Sequence, residues 1–420
     1  MKLHSICFGC QMNEADSLEM SYPFLDRGFT LTENIDEADA VLVNTCTVRK
    51  HAEARALSAI GRLRQWREAR EDRFLIVAGC AAERLGRKLR KRFPFVDLVV
   101  GARAIEDYPR ILEAALSRRS ALSQEKEPSS VSAAADSPVS AYLTISRGCS
   151  YACAYCIVPS VRGKDIPRSF DNILKEARTS LERGAKELIL LGQTVNGWRD
   201  KEGRCFADLL TGLSGLAGLL RLRFMSAHPY FLDERLIDAL ARLPQSCDHL
   251  HLPVQSGSDR VLKAMRRSYT RALFLERTRR LRALRPELSL CTDLMVGFPG
   301  ETEEDFKDSL SLVEEAGFND AYCFKYSPRE GTSAFVLNDP VPAQVKEERL
   351  SRILAAASLR RSDYLRSWEG RDVEVLLETP VQGRSSQNLP VRLDKPSKPG
   401  ALVRARVQSS SPSGLRASLL

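Results

Sequence analysis

The sequence RGCSYACAYC at residues 147–156 places three cysteines at a C-x3-C-x2-C spacing directly after an apolar run. Thiolates are soft metal ligands, and a short loop that carries Cys149, Cys153 and Cys156 can bind three irons of a [4Fe-4S] cubane. The fourth iron then stays open. Such an iron can chelate the amino and carboxylate groups of S-adenosylmethionine, whose reductive cleavage gives a 5′-deoxyadenosyl radical. A structural zinc site is the alternative, but it needs a fourth ligand, usually from a second cysteine pair.

Six apolar runs, each followed by a helix-like segment, begin at the strand before this loop and continue toward the C-terminus. They occupy residues 141–146, 187–191, 221–225, 249–253, 288–295 and 321–326. This alternation predicts parallel strands with crossover helices, and six units make a partial (β/α)6 barrel. The active site of such a barrel lies at the C-terminal ends of its strands, where the cysteine loop falls. We therefore assign residues 139–366 to a barrel domain.

Two further domains and a linker complete the chain, and the fold class is α/β. Residues 1–117 contain apolar runs at 3–8, 40–44, 74–78 and 96–100, which is the βαβ pattern of an open, mainly parallel sheet. Residues 118–138 lose this periodicity and are rich in Ser, Ala, Pro and charge, so they are predicted to be a linker. Residues 367–420 contain short alternating runs at 372–377, 389–393 and 401–407, and they predict a small all-β barrel.

Composition limits the class of protein. The chain has 420 residues, a net charge of +9 and eleven cysteines. An odd number of cysteines without a secretory signal argues against a disulfide framework and for metal binding or buried thiols in a reducing compartment. No apolar run reaches the length of about 18 residues that a membrane helix needs, so we expect a cytoplasmic protein. The positive charge is consistent with a polyanionic partner and equally with a role in solubility alone.

Three more cysteines follow strand-like runs in the first domain. Cys10, Cys46 and Cys80 each end such a run, and because strand ends of a parallel sheet meet at one edge, the three thiols can converge on a second cluster. Alternatively, the three cysteines are buried thiols that occur at strand ends by chance, since free cysteine is among the most buried residue types. A tetrahedral zinc site that adds Cys7 is another, although Cys7 lies within the strand and Cys10 in the loop after it. The other four cysteines are interpreted as buried thiols: Cys205, Cys247, Cys291 and Cys323.

Motifs along the whole chain resemble the MiaB-type tRNA methylthiotransferases, a radical S-adenosylmethionine family. They are GCQMN (9–13), NTC (44–46), GC (79–80), the cysteine loop, LGQ (191–193), HLHLPVQSGS (249–258), GFPGET (297–302) and FKYSPR (324–329). The resemblance implies a flavodoxin-like N-terminal domain with an auxiliary [4Fe-4S] cluster on Cys10, Cys46 and Cys80, a radical-SAM partial barrel and a C-terminal TRAM barrel. It also implies two molecules of S-adenosylmethionine. One supplies a methyl group to sulfur on the auxiliary cluster, and the other supplies the radical that removes hydrogen from carbon 2 of an adenine.

The substrate that the resemblance implies is N6-isopentenyladenosine next to the anticodon of tRNA, which becomes 2-methylthio-N6-isopentenyladenosine. Sister groups methylthiolate N6-threonylcarbamoyladenosine in tRNA or an aspartate of a ribosomal protein, and both stay open as alternatives. Ser160 stands where an aromatic residue is expected, as in the ribosomal-protein group, and Thr194 stands where Asn is usual. Besides tRNA, we expect an electron donor such as flavodoxin or ferredoxin, and we expect a monomer.

Polar side chains at the predicted strand ends are candidates for holding S-adenosylmethionine, with Tyr155 as the adenine contact. The candidates are Tyr155, Gln193, Asn196, Ser226, His228, Gln255, Ser256 and Asp293. Helix capping or loop hydrogen bonding explains each polar one equally well, and core packing is the alternative for Tyr155. Two basic surfaces are candidates for RNA phosphates: residues 84–92, predicted as one short helix, and residues 366–420, with nine Lys/Arg against five Asp/Glu.

Overall fold

The structure of the protein is a computed structural model that describes residues 1–117 and 139–420. The predicted linker at 118–138 lies outside the described residues. Two compact units make up the described chain. The first contains the described residues between positions 1 and 136, with Arg147–Tyr151 and Cys156–Asp165. The second contains residues 139–146, Ala152–Tyr155 and Ile166–Leu420.

A five-stranded parallel sheet forms the centre of the first unit, with the order β2-β1-β3-β4-β5. Its elements are β1 (Lys2–Cys7), α1 (Gln11–Leu25), β2 (Thr30–Leu31), β3 (Ala40–Thr45), α2 (Lys50–Glu68), β4 (Phe74–Gly79), α3 (Cys80–Leu85), α4 (Arg87–Arg92), β5 (Leu98–Gly101) and α5 (Tyr108–Leu116). Strands β3 and β4 read AVLVNT and FLIVAG and are buried throughout, as expected for central strands that are covered on both faces. The strand order is that of flavodoxin-like folds, so this part of the predicted fold is confirmed.

The basic stretch 84–92 is not the single helix that we predicted. It is divided between α3 and α4, which meet at Gly86 with φ 46° and ψ −117°. Glycine adopts this left-handed backbone without the steric penalty that a Cβ brings, so the chain turns there. Arg84 stays on α3, and the five other basic residues lie on α4, where Leu89 is buried and anchors the helix.

Six parallel strands in the second unit form the predicted partial (β/α)6 barrel, as the two three-stranded sheets β10-β9-β6 and β11-β12-β13. A parallel bridge from Leu222 to Ser246 links β10 to the segment that leads into β11. Between 140 and 366 the chain forms β6 (Ser140–Thr144), β7 (Ser146–Arg147), α6 (Val158–Arg162), β8 (Ile166–Pro167), α7 (Phe170–Glu182), β9 (Glu187–Leu191), α8 (Phe206–Ser214), β10 (Arg221–Phe224), α9 (Glu234–Arg242), β11 (His249–His251), α10 (Asp259–Ala264), α11 (Arg271–Leu284), β12 (Ser289–Val296), α12 (Glu303–Glu315), β13 (Asp320–Lys325) and α13 (Ala343–Arg366). Strand β11 ends two residues earlier than we predicted, because Pro253 has no N–H for the strand ladder.

A closed five-stranded barrel with the order β14-β15-β16-β18-β17 ends the chain. Its strands are β14 (Asp372–Leu377), β15 (Gln382–Ser385), β16 (Pro390–Leu393), β17 (Leu402–Ser411) and β18 (Gly414–Leu419). The sequence analysis missed β15 and β18, and it ended the run of β17 at residue 407, whereas the strand continues to Ser411. QGRS and SSS are polar, so their pairing comes from barrel closure and not from hydrophobic alternation. The all-β C-terminal module is confirmed.

Two buried arginines of β10 attach this small barrel to the larger one within the second unit. Arg221 donates to the carbonyl oxygens of Arg384 and Glu374, at 2.5 and 3.0 Å. Arg223 donates to the carbonyl oxygen of Ser385 at 3.2 Å and forms a buried ion pair with Glu187 at 2.9 Å. In the described parts of the chain, no helix is both long and apolar enough to cross a membrane.

Candidate cluster and cofactor sites

The structure brings together the three cysteines that follow strands of the first sheet. Cys46 directly follows β3, Cys80 begins α3 directly after β4, and Cys10 precedes α1. Cys46 and Cys80 are buried, whereas Cys10 is exposed. Burial raises the pKa of Cys80 to about 11, with the neighbouring thiols of Cys46 and Cys10 adding to this effect and a nearby guanidinium opposing it. The predicted convergence therefore exists in the fold, with two thiols inside and one at the surface.

Two glycines allow the three loops to approach one another. Gly79 has φ 96°, and a Cβ there would stand 2.2 Å from Asn44 Oδ1 and 2.5 Å from the carbonyl oxygen of Thr45. Gly9 has φ 141°, and a Cβ there would stand 2.8 Å from the Cβ of Cys46. Any larger residue would push the cysteine loops apart.

Asn13 connects the loop of Cys10 to the loop of Cys46. Its Nδ2 donates to Asn44 Oδ1 and to the carbonyl oxygen of Thr45, both at 3.1 Å. Asn44 Nδ2 donates back to the carbonyl oxygen of Asn13 at 2.8 Å. The thiol of Cys10 lies 3.6 Å from Asn13 Oδ1. Asn13 and Asn44 were noted only as parts of motifs, and their role depends on a contact between distant segments that spacing does not reveal.

Arg162 is the residue of this site that sequence reasoning missed. It lies on α6, and its Nε donates to the sulfur of Cys80 at 3.2 Å. Burial opposes the charge of this guanidinium, but Cys80, Asp16 and Cys10 outweigh that effect and raise its pKa. The sequence carries no signal for this contact, because Cys80 lies 82 positions earlier in the chain.

Cys7 is the last residue of β1, whereas Cys10 lies beyond the strand, as we predicted. The Cys7 residue is exposed, yet the surrounding protein desolvates its thiol and raises its pKa to about 11. Within residues 1–117 and 139–420, no three His, Cys, Asp or Glu side chains could together hold a single metal ion. In a cubane each thiolate binds its own iron, so cluster ligands need not converge in that way.

The C-x3-C-x2-C loop lies between β7 and α6. Cys149 is buried, and its backbone N–H donates to the carbonyl oxygen of Gly163 at 3.0 Å. Gly148 has φ 82°, and a Cβ there would stand 2.1 Å from the carbonyl oxygen of Lys164. Cys153 and Cys156 are partly exposed. Cys149 and Cys156 fall in the first unit, and Cys153 falls in the second.

Arg267 is a second arginine that sequence reasoning missed. Its Nη1 donates to the sulfur of Cys153 at 3.4 Å, its Nη2 to the carbonyl oxygen of Pro253 at 2.9 Å, and its Nε to the hydroxyl of Tyr269 at 2.8 Å. Burial opposes its charge, but Tyr155, Tyr269 and Cys153 outweigh that effect and raise its pKa. Tyr155 itself packs against an apolar cluster that includes Phe298 and Tyr326.

Four of the predicted cofactor residues lie at the strand ends of the barrel, where they have either a positive φ or a side chain that offers a polar group to the site. Ser226 and Gln255 have φ of 61° and 72°, and a left-handed backbone at a non-glycine residue is typical of functional sites. Gln193 follows β9, and its Oε1 is buried with no donor among the described residues. Asp293 of β12 lies 3.1 Å from Nε2 of His251, whose Nδ1 accepts from the N–H of Ser226 at 3.3 Å. His251 thus joins the site, although we had quoted it only within a motif.

The other three have structural partners. Asn196 exchanges two hydrogen bonds with the backbone of His228, at 2.7 and 3.0 Å. The Nδ1 of His228 accepts from the N–H of Tyr230 at 3.2 Å, which caps the following turn. Burial, together with the charge of Arg267, lowers the pKa of His228 to about 2. Ser256 is fully buried, and its Oγ accepts from the N–H of Ser258 at 3.2 Å.

Comparison with known proteins gives the family. Residues 143–313 match the Radical SAM superfamily, and residues 2–101 match Uncharacterized protein family UPF0004. The tRNA-2-methylthio-N(6)-dimethylallyladenosine synthase of Cereibacter sphaeroides is 40% identical over 99% of this chain and 97% of its own length. The synthase of the same name from Bartonella tribocorum is 38% identical over 96% of this chain and 93% of its own length.

This chain belongs to the family of tRNA-2-methylthio-N(6)-dimethylallyladenosine synthases. The flavodoxin-like domain, the partial barrel and the closed C-terminal barrel fit that membership. Among solved structures, the radical S-adenosylmethionine methyltransferase TsrM from Kitasatospora setae is similar, with a TM-score of 0.58 and 13% identity over 80% of this chain and 77% of that chain. The radical enzyme OxsB gives a TM-score of 0.53 and 14% identity over 86% of this chain and 56% of that chain. At such identities, these two likenesses concern the fold alone.

Proposed function

We propose that this protein adds a methylthio group to carbon 2 of N6-isopentenyladenosine, next to the anticodon of tRNA, in a radical S-adenosylmethionine reaction. The observation that carries the proposal is the convergence of Cys10, Cys46 and Cys80 in a chain that also has the C-x3-C-x2-C loop. A radical enzyme that only removes hydrogen needs the loop alone. A second set of three thiols can hold a second cluster, which would carry the sulfur that a methylthio group needs. The named relatives supply the dimethylallyl (isopentenyl) substrate.

Cys149, Cys153 and Cys156 would hold the radical cluster, and Cys10, Cys46 and Cys80 would hold the auxiliary cluster. The donor sets fit these groups, because each set offers three thiols. In each set, one thiol also contacts a buried guanidinium that can balance thiolate charge. When bound, the clusters and S-adenosylmethionine would supply an electron, a radical and the sulfur and methyl of the transferred group. The chain's own residues bring the three loops close together, exclude water from Cys46 and Cys80, and fix the loops through Asn13 and Asn44.

For S-adenosylmethionine, the best-supported residues are Gln193, Ser226, Gln255 and Asp293. The buried Gln193 Oε1 is an acceptor that the amino group of the cofactor's methionine part can use. Asn196, His228 and Ser256 shape the strand-end loops and act on the cofactor through those loops. Tyr155, which packs in an apolar cluster, would offer its ring to the adenine.

The division of the chain at 1–117, 118–138, 139–366 and 367–420 is part of this proposal, with the last segment as a TRAM domain. We also propose a flavodoxin or ferredoxin as electron donor, a cytoplasmic location and a monomeric enzyme. The donor and the location follow from the reaction, because the radical cluster would need a low-potential reductant and the proposed substrate is tRNA. The monomeric state stays a prediction from the sequence analysis.

The RNA surface is proposed to include the outer face of β16 and β18. Arg392 and Arg416 are exposed and lie opposite one another in the parallel register. Like charges in that position destabilise a sheet unless an anion lies between them. Within the described residues, neither forms an ion pair, whereas Arg404 and Arg406 of β17 both pair with Asp372. The five exposed basic residues of α4 are a second candidate surface: Arg87, Lys88, Arg90, Lys91 and Arg92.

The double substitution Arg392→Gln and Arg416→Gln tests this surface. If both bind phosphates, tRNA affinity falls, and the slope of log affinity against log salt decreases by about 1.5, since each phosphate contact contributes about 0.7 to 0.9. Arg404→Gln with Arg406→Gln is the matched control, which removes the same charge from the same barrel. Equal slopes in the two double variants would contradict the assignment.

Nucleoside mass spectrometry tests the reaction. The reconstituted enzyme, S-adenosylmethionine, sulfide and a reductant should convert tRNA that carries N6-isopentenyladenosine into its 2-methylthio form. The same tRNA without the isopentenyl group is the matched control and should give no product. Product only on threonylcarbamoyladenosine would assign the chain to the sister group, and no modified nucleoside in either tRNA would point to the ribosomal-protein aspartate.

A further inference from the structure

Arg162 contacts one of the proposed auxiliary ligands from within a buried polar network. Its Nε donates to the sulfur of Cys80 at 3.2 Å, and its Nη2 donates to Asn13 Oδ1 at 3.1 Å and to Asp16 Oδ2 at 2.8 Å. Its side chain is 4% exposed and that of Asp16 is fully buried. All these atoms belong to the first unit. A buried cation held in this geometry has a fixed orientation toward the sulfur.

The charge around Arg162 is only partly balanced. Asp16 also accepts from Nη1 of Arg147, so two guanidiniums share this one buried carboxylate. The other acidic partners of Arg147, Glu19 and Glu106, are exposed, and water screens them. The buried group therefore carries net positive charge on the side where three thiolates would bring negative charge.

We propose that Arg162 is a positioning residue that sets the reduction potential of the auxiliary cluster, through its hydrogen bond to Cys80 and its charge, with Asp16 limiting that charge. This inference rests on the proposed cluster at Cys10, Cys46 and Cys80. Hydrogen bonds to cluster sulfurs and nearby net charge are two of the factors that set such potentials. A cation stabilises the reduced, more negative cluster, so it raises the potential.

Replacing Arg162 and replacing Asp16 should change the reduction potential in opposite directions. Arg162→Gln removes the cation and should lower the potential, whereas Asp16→Asn removes the balancing anion and should raise it. Arg162→Lys keeps the charge but loses the planar fork, so its potential should fall less than that of Arg162→Gln. A role confined to stability predicts no such reversal, because both substitutions would simply weaken the site.

The experiment uses the full chain with Cys149, Cys153 and Cys156 changed to Ala, so that only the auxiliary cluster can assemble. Iron content and the electron paramagnetic resonance signal of the reduced cluster are followed in a redox titration. At a fixed potential, Arg162→Gln should lower the ratio of reduced to oxidised cluster at least tenfold, which corresponds to about 59 mV for one electron. Arg267→Gln is the matched control, because Arg267 contacts Cys153 of the other cysteine set, and it should leave the potential unchanged.

The outcomes separate the inference from the proposed function. If the triple-alanine parent binds no cluster, the auxiliary assignment fails, and the inference fails with it. If the parent binds about four irons but Arg162→Gln has the parent's potential, the inference alone is overturned. If Arg162→Gln assembles no cluster, Asp16→Asn and Arg162→Lys decide: a raised potential in the first and a small decrease in the second support the inference, and any other pair of results overturns it.

Discussion

The two cysteine sets differ in how they are assembled from the sequence, yet in each set an arginine donates to a cysteine sulfur. Cys10, Cys46 and Cys80 come from three separate strand ends, whereas Cys149, Cys153 and Cys156 lie in a single loop. Arg162 donates to Cys80 at 3.2 Å and Arg267 to Cys153 at 3.4 Å. Arg162 has a buried carboxylate partner in Asp16. Arg267 donates to a sulfur, a carbonyl and a phenol, and it forms no ion pair with any carboxylate of the described residues.

This difference indicates what each site has to bind. At the strand-end set, the protein itself provides a buried anion, Asp16, that partly balances the charge of Arg162. At the loop set, the charge of Arg267 remains available for a bound anion. The carboxylate of S-adenosylmethionine and the cluster both carry negative charge. His228, whose ring lies 5.4 Å from that of Tyr269, stays neutral and adds no second cation there.

The largest expected effect comes from removing one whole set. Changing Cys149, Cys153 and Cys156 to Ala should reduce the iron content from about eight to about four per chain, since each cubane carries four irons. It should abolish both 5′-deoxyadenosine and methylthiolated product. Iron analysis after anaerobic reconstitution measures the first effect. One zinc with at most one cluster in the unchanged chain would contradict the account of the first domain.

A smaller effect concerns His228, beside Arg267. Its pKa in the folded chain is lowered to about 2, so below pH 6.5 the unfolded chain takes up a proton that the folded chain refuses. His228 therefore leaves the free energy of unfolding unchanged well above pH 6.5 and decreases it as the pH falls below 6.5. His228→Asn keeps an acceptor for the turn and should reduce the loss of unfolding free energy between pH 7.5 and 5.5 by about 1.4 kcal/mol.

Urea unfolding of the apoprotein at the two pH values measures this effect. The exposed His51→Asn is the control and should keep the pH dependence of the unchanged chain. An identical dependence in His228→Asn would show that His228 does not stay neutral in the fold.

The smallest expected effect belongs to Cys7→Ser. Cys7 ends β1, outside the loop of Cys10, so the substitution should preserve both clusters. Its thiol is partly desolvated, so replacing it with a hydroxyl should cost about 1 kcal/mol of stability or less. Iron content and a thermal melt measure both. Loss of about four irons would make Cys7 a ligand and remove the distinction between the two cysteine sets.

Much of the fold was predictable, because its signals are local. The buried runs of β3, β4 and β9 are continuous in the sequence, and the cysteine loop has a diagnostic spacing. Strand β15 was missed because its sequence QGRS is polar, so that its pairing partners make it a strand. Strand β18 alternates apolar and polar residues, but it is short and follows a Ser-rich stretch, and it was overlooked. The break at Gly86 was missed because a run of charge with helical propensity conceals a glycine turn.

The candidate site was predictable only where one segment carries it. Spacing identified the loop, and topology suggested that Cys10, Cys46 and Cys80 converge. Arg162 and Arg267 were out of reach, since each acts on a cysteine from a distant part of the chain. For Asn196 and His228, strand-end position suggested cofactor contact, but the structure gives them backbone partners that only the folded loops bring into range.

The most direct test of two cysteine sets with separate tasks is to measure 5′-deoxyadenosine and methylthiolated nucleoside in the same reaction of the Cys10→Ser variant. Loss of this ligand should weaken the auxiliary cluster and abolish the methylthio product. Reductive cleavage of S-adenosylmethionine should persist, because the proposed ligands of the radical cluster are other cysteines: Cys149, Cys153 and Cys156. The account predicts 5′-deoxyadenosine without product in Cys10→Ser, and both in Cys7→Ser. Equal loss of product in the two variants, or normal product in Cys10→Ser, would contradict it.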